Sequence, residues 1–326
     1  MLLAFEKPIV ELEEKLAALQ AKAAKQPAAP LHKTIRQLEQ QLRTLQGTTF
    51  QNLTRWQRVQ LARHAERPYT LDYIQHMTED FMPLHGDRAG GDDQAMVGGL
   101  GKVAGTTMMF IGHQKGRNTK ERQARNFGMA SPAGYRKALR LMQLAEKFNK
   151  PIITLIDTPG AYPGLQAEAQ GQAAAIAHNI QGMFSLRVPV LCFIIGEGAS
   201  GGALGIAVGD QVLMLENTWY SVISPESCSS ILWKSREHKE QAAEALKLTA
   251  KDMLAHKLID GIIPEPLGGA HRDHKGAAAT VKQELLQRLK VLQQLSPAQR
   301  IQQRMEKFCK MGELGSTKAR AGHSPC

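Results

Sequence analysis

Two consecutive segments of the chain each combine an apolar run of strand length, a glycine loop and a helix. The first covers residues 151–186 and turns at DTPGAYPG; the second covers residues 188–210 and reads VPVLCFIIGEGASGGALGIAVGD. We expect the second strand over 188–195, ending at Gly196. Because a helical crossover joins the two strands, they must pair in parallel with a right-handed connection. Both glycine loops therefore fall at the carboxyl edge of one sheet, where ligands bind in open α/β sheets.

The second turn has the features of an anion site. Its helix opens on small residues from Ser200, and the first N–H groups of a helix lack intrahelical partners and lie at the positive end of the helix dipole. Gly201 and Gly202 would let a ligand approach those N–H groups without a Cβ in the way. Glycines that serve only strand-to-helix packing are the alternative for a single turn, and the second loop of similar kind favours a pocket.

The length and the net charge of the chain limit its number of domains and its candidate partners. A chain of 326 residues suggests about two domains of about 150 residues each. The net charge of +11 favours anionic partners, which include nucleic acid, phosphorylated cofactors and acidic proteins, although solubility explains it equally. A basic stretch with Arg55, Arg58, Arg63 and Arg67 permits RNA binding, but a solvated helix face is the better interpretation because no stacking motif accompanies it.

The spacing of the cysteines and the length of the apolar runs exclude several classes of protein. The four cysteines form no metal-type or disulfide pattern, so we expect no metal in this chain. No apolar run approaches the roughly 20 residues of a membrane span, and the N-terminus has acidic residues where a signal peptide is basic. A cytoplasmic protein is the expectation.

The remaining pattern divides the chain into an arm, a body and a tail. Apolar residues at three- and four-residue steps, interrupted around 26–30, predict an N-terminal helical hairpin over 1–50 that docks on the body or on a partner subunit. The body spans 51–311, and the tail, 312–326, reads as disordered or as an appended, non-native segment. Further predicted elements are a β-hairpin over 96–113, a helix from Ser131-Pro132, a long Ala-rich helix over 167–186, strands over 211–216 and 220–223, a capped helix from Thr249, and solvent-facing helices over 271–295 and 297–310.

Several side chains near the loops are candidates for chemistry. Gly198-Ala199-Ser200-Gly201-Gly202 fits the G-x-S-x-G pattern of a serine nucleophile, which also needs a histidine and a carboxylate. Glu197 fits a general base or a carboxylate that supports the loop. Lys115 and Arg117 could hold a phosphate or a carboxylate, or lie on ordinary surface. The histidines downstream are His238, His256, His271 and His274, with Asp252 or Asp260 as carboxylates.

No downstream histidine lies in a convincing motif, so Ser200 reads as a small or hydrogen-bonding residue. Two backbone turns without a nucleophile favour a protein that stabilises oxyanions while its substrates supply the reacting groups. Formation of a thioester enolate fits this description, because its charge develops on one carbonyl oxygen.

Several motifs, in order and spacing over roughly residues 1–311, resemble the carboxyltransferase α subunits of bacterial multi-subunit acetyl-CoA carboxylases. Ser227 departs from the glycine expected after SPE, which loosens inference about that helix start. The runs are LHGDR (84–88), GHQKGR (112–117), FGMASPAGYRKALRLM (127–142), IDTPGAYPG (156–164), GEGASGGALGIAVGD (196–210), and YSVISPE with SILWKS (220–235).

The resemblance implies an α/β fold of the crotonase-like (ClpP/crotonase) class, a spiral of ββα units. It implies a partner carboxyltransferase β subunit, in an α2β2 assembly, that holds most of acetyl-CoA and carries the zinc ribbon. It also implies a biotin carboxyl carrier protein and a biotin carboxylase. Carboxybiotin would release CO2, and the enolate of acetyl-CoA would attack CO2 to give malonyl-CoA.

In that mechanism the N–H groups of Gly201 and Gly202 would hold the ureido oxygen of biotin. Gly160, Ala161, Gly198 and Ser200 would shape the pocket. Valine at either Gly201 or Gly202 is expected to cost orders of magnitude in rate and leave the fold intact. The alternatives are a self-sufficient crotonase-like acyl-CoA enzyme, a serine hydrolase that uses Ser200, and a nucleic-acid-binding module.

Overall fold

A mixed eight-stranded sheet forms the centre of the computed structural model, which describes residues 2–26 and 29–312. β1, β2 and β3 pair antiparallel, and β3, β4, β5, β6 and β8 follow in parallel, with β7 beside the far end of β5. The strands are β1 (Phe81–Pro83), β2 (Met96–Val103), β3 (Thr106–His113), β4 (Ile152–Thr158), β5 (Val190–Ala199), β6 (Gln211–Leu215), β7 (Trp219–Ser221) and β8 (Gly261–Ile263).

Helices cover both faces of the sheet. The α-helices are α1 (Lys7–Lys25), α2 (Ala29–Gln51), α3 (Arg55–Ala62), α4 (Thr70–Met77), α5 (Thr119–Ala124), α6 (Pro132–Lys147), α7 (Leu165–Ala169), α8 (Gln172–Ser185), α9 (Ser200–Leu204), α10 (Pro225–Trp233), α11 (Lys239–Leu246), α12 (Ala250–Ala255), α13 (His274–Gln293) and α14 (Pro297–Cys309). α6 and α8 share one core cluster with one face of the sheet, and α4 and α13 share a second cluster with the other.

Several predicted elements are confirmed. β2 and β3 form the hairpin, which turns at Ala104-Gly105 with positive φ at both residues. β4 and β5 pair in parallel and are wholly buried, as the crossover required. α12 begins with a capping box between Thr249 and Asp252. α10 begins despite the departure at Ser227, because the Ser224 side chain accepts a hydrogen bond from the Ser227 N–H.

Three predicted helices or strands are wrong in their extent or exposure. β5 continues beyond Gly196 to Ala199, because its last residues pair with β7. The Ala-rich helix divides into α7 and α8 at Gly171, whose φ of 78° is left-handed. α13 is not solvent-facing: Val281, Leu285 and other residues on one side are fully buried against the sheet.

The register between β4 and β5 shifts near their carboxyl ends. Ile156 pairs with Ile194, but Thr158 pairs with Gly198, so β4 advances two residues while β5 advances four. Such a bulge leaves backbone groups without ladder partners. The Arg67 guanidinium donates to the Ile195 carbonyl at 2.7 Å, and the Glu197 N–H donates to Asp157 Oδ1 at 2.9 Å. Side chains therefore satisfy the backbone groups that the bulge releases.

The basic stretch after the arm is not a solvated face. Arg58 and Arg67 are 4% and 1% exposed, and Arg67 forms an ion pair with the equally buried Glu265. Arg55 pairs with Glu244 and Asp252, and Arg63 with Glu197 and Glu226. These arginines attach α3 and the residues after it to the sheet and to α10, α11 and α12, so they are occupied within the chain.

The N-terminal helices form an antiparallel hairpin whose base is fixed to the body. Ile9 packs in one cluster with Phe50 and Leu61. Glu6 is buried and contacts His271 at 2.9 Å and Arg272 at 3.3 Å. Although burial opposes ionisation, these two neighbours hold the pKa of Glu6 below its ordinary value of 4.5. This ionic junction anchors the start of α1.

Some expectations lie at the limits of the described residues. The predicted tail, apart from Gly312, and part of the break at 26–30 lie outside them. Cys192, Cys228 and Cys309 are free thiols, and Cys192 is buried in β5. Across residues 2–26 and 29–312, no helix combines the length and apolarity that a membrane span requires.

Candidate active site

The two glycine loops touch at the carboxyl edge of the sheet. Gly202, at the start of α9, lies against the peptide between Gly160 and Ala161: a Cβ on Gly202 would meet the Gly160 carbonyl carbon and lie 2.5 Å from the Ala161 nitrogen. Only glycine allows this approach. The prediction that both loops lie at the carboxyl edge of the sheet is confirmed, and their contact brings the ends of β4 and β5 together.

An apolar cleft of about 540 Å³ opens beside this contact. Ser200 and Gly201 form its edge, and most of the remaining wall comes from α9, β6, β7, α11, α12 and α14. Space in front of Gly201 is open, since a Cβ there would come no closer than 3.8 Å to another side chain. The other lining residues are Leu204, Ala207, Val212, Tyr220, Ser221, Val222, Leu246, Met253, Leu258, Phe308 and Met311.

The four backbone positions singled out from the sequence have different surroundings. Gly201 borders the cleft, whereas Gly202 is buried behind it against the first loop. The Gly160 N–H is engaged by the Thr158 hydroxyl at 3.1 Å, and Gly160 has a φ of 147°. Gly198 lies inside the sheet between Thr158 and Tyr220. Among these positions, Gly201 is the best placed to meet a ligand.

A buried ion network lies under both loops. The Lys115 ammonium contacts Asp157 Oδ1 at 2.6 Å and Glu197 Oε1 at 2.8 Å, and Arg63 Nε contacts Glu197 Oε2 at 2.6 Å. Arg63 also pairs with Glu226 of α10. Burial acts against ionisation of Glu197, but the two cations hold the pKa of this carboxyl below its ordinary value. Glu197 is thus a poor proton acceptor and a structural carboxylate, as one of the two interpretations predicted.

Lys115 and Arg117 are both occupied by groups of this chain. Arg117 contacts Asp72, donates to the Ala65 and Arg67 carbonyls, and stacks on Tyr69. Anion binding by these two cations stays a prediction, and their ion pairs weaken it.

Ser200 has the position of a nucleophile without its partners. Its φ of 56° is unusual for a residue with a side chain, and it lies exposed at the cleft. Within the described residues, no hydrogen bond joins Ser200 Oγ to a histidine. His271 contacts Glu6 at the junction with the arm, and His274 contacts the Glu66 carbonyl. This arrangement does not support a serine triad.

Two side chains that were not expected at the site attach α9 to its surroundings, and a third supports the end of β4. The Tyr135 hydroxyl donates to the Gly202 carbonyl at 2.9 Å, and the Asn179 amide donates to the Gly205 carbonyl at 3.1 Å. Asp157 accepts bonds at the end of β4. The sequence contained a signal for Asp157. Asp157 and Glu197 lie near the ends of β4 and β5, and Lys115 follows β3. The carboxyl ends of adjacent parallel strands lie at the same edge of the sheet, so these three residues must come close together. Nothing in the apolar periodicity of α6 marked Tyr135.

Comparisons with known proteins assign this chain to a family. Residues 2–312 match the family model described as acetyl co-enzyme A carboxylase carboxyltransferase-like. The chain is 57% identical to the acetyl-coenzyme A carboxylase carboxyl transferase subunit alpha of Chlorobium phaeobacteroides, over 96% of this chain and 97% of that protein. It is 59% identical to the subunit of the same name from Flavobacterium psychrophilum, over 95% and 98%.

Solved structures with similar folds include a Pseudomonas malonate decarboxylase hetero-tetramer in complex with coenzyme A. The TM-score is 0.58 at 15% identity, over 72% of this chain and 92% of that one. Transcarboxylase 12S gives a TM-score of 0.55 at 16% identity, over 81% of this chain and 46% of that one. At these identities the likeness concerns the fold alone, and it confirms the predicted crotonase-like α/β class. The chain belongs to the family of acetyl-CoA carboxylase carboxyltransferase α subunits.

Proposed function

We propose that this chain forms the α half of a carboxyltransferase that moves the carboxyl group from carboxybiotin to acetyl-CoA and yields malonyl-CoA. The observation that carries the proposal is the backbone turn at Gly201, which opens onto an apolar cleft of about 540 Å³. Membership of the α-subunit family supports the same reaction. The first N–H groups of a helix lack intrahelical partners, and such a turn beside an apolar cleft suits a ligand with an apolar body and one polar oxygen.

Biotin is such a ligand: its ring system is mostly apolar, and it presents a single ureido oxygen. Biotin supplies the carboxyl group, bound to a ureido nitrogen, when its carrier protein delivers it. The open space at Gly201 permits the close approach of that oxygen, since a Cβ is absent where the N–H groups begin α9. The residues present therefore fit the group.

The chain's own contribution is electrostatic and steric. The N–H groups of Gly201 and Gly202 lie in the first turn of α9, so they can donate to an oxygen as negative charge grows on it. Gly160 and Ala161 fix the position of Gly202 from the other side. The apolar wall, with Leu204, Met253 and Phe308, would keep water away and strengthen these hydrogen bonds.

A β subunit is the natural complement of this half-site. Val222, which lines the cleft, is 76% exposed, and Ile231 and Leu232 on α10 are each 62% exposed. Exposed apolar residues next to a ligand cleft are typical of an interface. In this proposal the β subunit covers the cleft, holds most of acetyl-CoA and carries the zinc ribbon, in an α2β2 assembly within the cytoplasm. The biotin carboxyl carrier protein and biotin carboxylase complete the enzyme.

Reconstitution tests the proposal. The chain is mixed with the carboxyltransferase β subunit from the same cell, and malonyl-CoA is measured with carboxylated carrier protein and acetyl-CoA. We expect turnover only from the mixture, with each subunit alone inactive. Activity of this chain by itself, or labelling of Ser200 by a fluorophosphonate probe, would favour a self-sufficient enzyme or a hydrolase instead.

A further inference from the structure

α9 is too short to hold its own position. It has five residues, and a helix of this length is not stable without tertiary contacts. The direction of the Gly201 and Gly202 N–H groups must therefore be set by what packs against α9. Which side chains supply those contacts decides how rigid the turn is.

Tyr135 makes the most direct of these contacts. It lies on α6, is 0% exposed, and its hydroxyl donates to the Gly202 carbonyl at 2.9 Å. The ring also presses on the next turn of α9, because a Cβ on Gly205 would lie 2.7 Å from Tyr135 Cε1. Tyr135 thus holds α9 by a hydrogen bond at its first turn and by packing at its end.

The same peptide groups form a connected chain of hydrogen bonds. The Gly205 N–H donates to the Gly201 carbonyl at 2.9 Å, and this carbonyl shares its peptide group with the Gly202 N–H. The buried Asn179 amide donates to the Gly205 carbonyl. Movement of α9 at the Gly202 carbonyl would therefore change the direction of the N–H groups at the cleft.

The Tyr135 hydroxyl is protonated at neutral pH. Burial, with the nearby Asp93 charge, raises the pKa of its phenol above the ordinary value of 10.0. The hydroxyl therefore has the proton that its hydrogen bond to the Gly202 carbonyl requires.

We propose that Tyr135 is a positioning residue for the oxyanion-binding turn, acting through the Gly202 carbonyl. The inference rests on the proposed carboxyltransferase function. Tyr135 does not reach the cleft, so its effect is on the geometry of the Gly201 and Gly202 N–H groups and not on binding of acetyl-CoA.

Tyr73 provides a matched control for the test. It is also a 0% exposed tyrosine, but it packs in the core cluster on the other face of the sheet, and its hydroxyl has no hydrogen-bond partner among the described residues. Tyr135→Phe and Tyr73→Phe remove the same atom from equally buried rings. Only the first removes a contact with α9.

The experiment measures kcat and KM of both variants, reconstituted with the wild-type β subunit, together with thermal unfolding. For Tyr135→Phe we expect kcat to fall about 10- to 100-fold, because a misplacement of about 1 Å can lower the rate about 100-fold. The KM for acetyl-CoA should stay within about twofold of the wild-type value. Tyr73→Phe should keep wild-type kcat.

Two results would overturn the inference. One is an equal kcat in the two variants. The other is a kcat of Tyr135→Phe that equals the wild-type value at temperatures well below the unfolding temperature of the variant, because the hydroxyl would then contribute to stability alone. If Tyr135→Phe does not fold, Asn179→Ala gives the same readout from the other end of α9. An inactive wild-type mixture would instead refute the proposed function, and the inference would fall with it.

Discussion

Gly201 and Gly202 are neighbours in the chain but have opposite surroundings. A Cβ at Gly201 would meet Ile176 only at ordinary van der Waals distance, whereas a Cβ at Gly202 would collide with the backbone of the first loop. The expectation that valine at either position leaves the fold intact is therefore wrong for Gly202. One glycine keeps the cleft open, and the other lets the two loops touch.

Alanine at each position should separate these two requirements. Gly202→Ala must displace the peptide between Gly160 and Ala161, so we expect the free energy of unfolding to fall by about 2 kcal/mol or more, the range of overpacked sites. Gly201→Ala should change it by less than about 0.5 kcal/mol, as at open surface positions. Urea unfolding of the two variants measures both. Equal losses would show that the loops do not meet as described.

Removal of the Ser200 hydroxyl should leave catalysis in place. Ser200 lies at the cleft, but no histidine in the described part of the chain is hydrogen-bonded to it, so Ser200→Ala in the reconstituted enzyme is expected to retain kcat within about threefold. Loss of a true triad serine would lower kcat by about 10⁶-fold. The malonyl-CoA assay distinguishes the two cases, and a loss near the larger figure would restore the nucleophile hypothesis.

At the residue scale, backbone features were easier to predict than side-chain contacts. Glycines mark turns and close approaches directly, so Gly201 and Gly202 could be chosen from the sequence. The partners of Arg117 could not, because its contacts join residues that are far apart in the chain and no strand end marks them. The same limit hid Tyr135, whose hydroxyl reaches α9 from an otherwise apolar helix face.

Among the elements, β4 and β5 determine the site because their shifted register sets the relative height of the two loops. Lys115 holds this region by contacting one carboxylate on each strand, Asp157 and Glu197. The lysine side chain is 13% exposed, and the carboxylates are 1% and 7% exposed. Two buried carboxylates without a cation between them would repel one another.

Lys115→Met should therefore be strongly destabilising. Breaking a buried ion pair from one side typically lowers the free energy of unfolding by about 3–5 kcal/mol. Lys102→Met is the control, since Lys102 is 48% exposed and lies 3.9 Å from Glu79, where loss of a pair changes stability by about 0–1 kcal/mol. Denaturant unfolding compares them. Equal, small effects would mean that the network does not hold the strand ends.

Strand and helix identities followed from periodicity and crossover rules, whereas their ends did not. β5 extends beyond its apolar run because β7, which is distant in sequence, pairs with Glu197, Gly198 and Ala199. α13 reads as polar, with Gln and Lys throughout, yet one face of alanine, valine and leucine is buried. In both cases a tertiary contact overrode the local pattern.

For the whole molecule, the junction at Glu6 couples the arm to the body. The lowered pKa of Glu6 means that its carboxylate stabilises the docked arm above the unfolded value near 4.5. This contribution is lost as the pH falls through the lower, folded value. The docking of the arm should therefore weaken as the pH falls below about 4.5.

Glu6→Gln should loosen the arm already at neutral pH. Hydrogen bonds to a charged group contribute about 1.5–3 kcal/mol, so the population of detached arm should rise by about tenfold or more. Tryptic cleavage within α1 and α2 at pH 7 measures this, and the exposed Glu11→Gln is the control. Cleavage rates equal to those of the control would place the anchor elsewhere.

The hairpin arm and the parallel centre of the fold were predictable from the sequence, because both rest on periodic local patterns. The wall of the cleft was not predictable from the sequence, since it combines Leu204 of α9 with Val212 of β6, Met253 of α12 and Phe308 of α14. A whole-molecule property of this kind depends on how distant helices pack, and no single stretch of sequence records it.

In the proposed function, the Gly201 turn and its cleft form the biotin half of the carboxyltransferase site. The most direct test is the kcat of the reconstituted enzyme with Gly201→Val, because a Cβ at this position comes no closer than 3.8 Å to another side chain and adds bulk beside the N–H groups. We predict unfolding like that of the wild type and a loss of about 100- to 1,000-fold in kcat, the effect of removing one oxyanion donor. A near-wild-type rate from the folded variant would contradict the account.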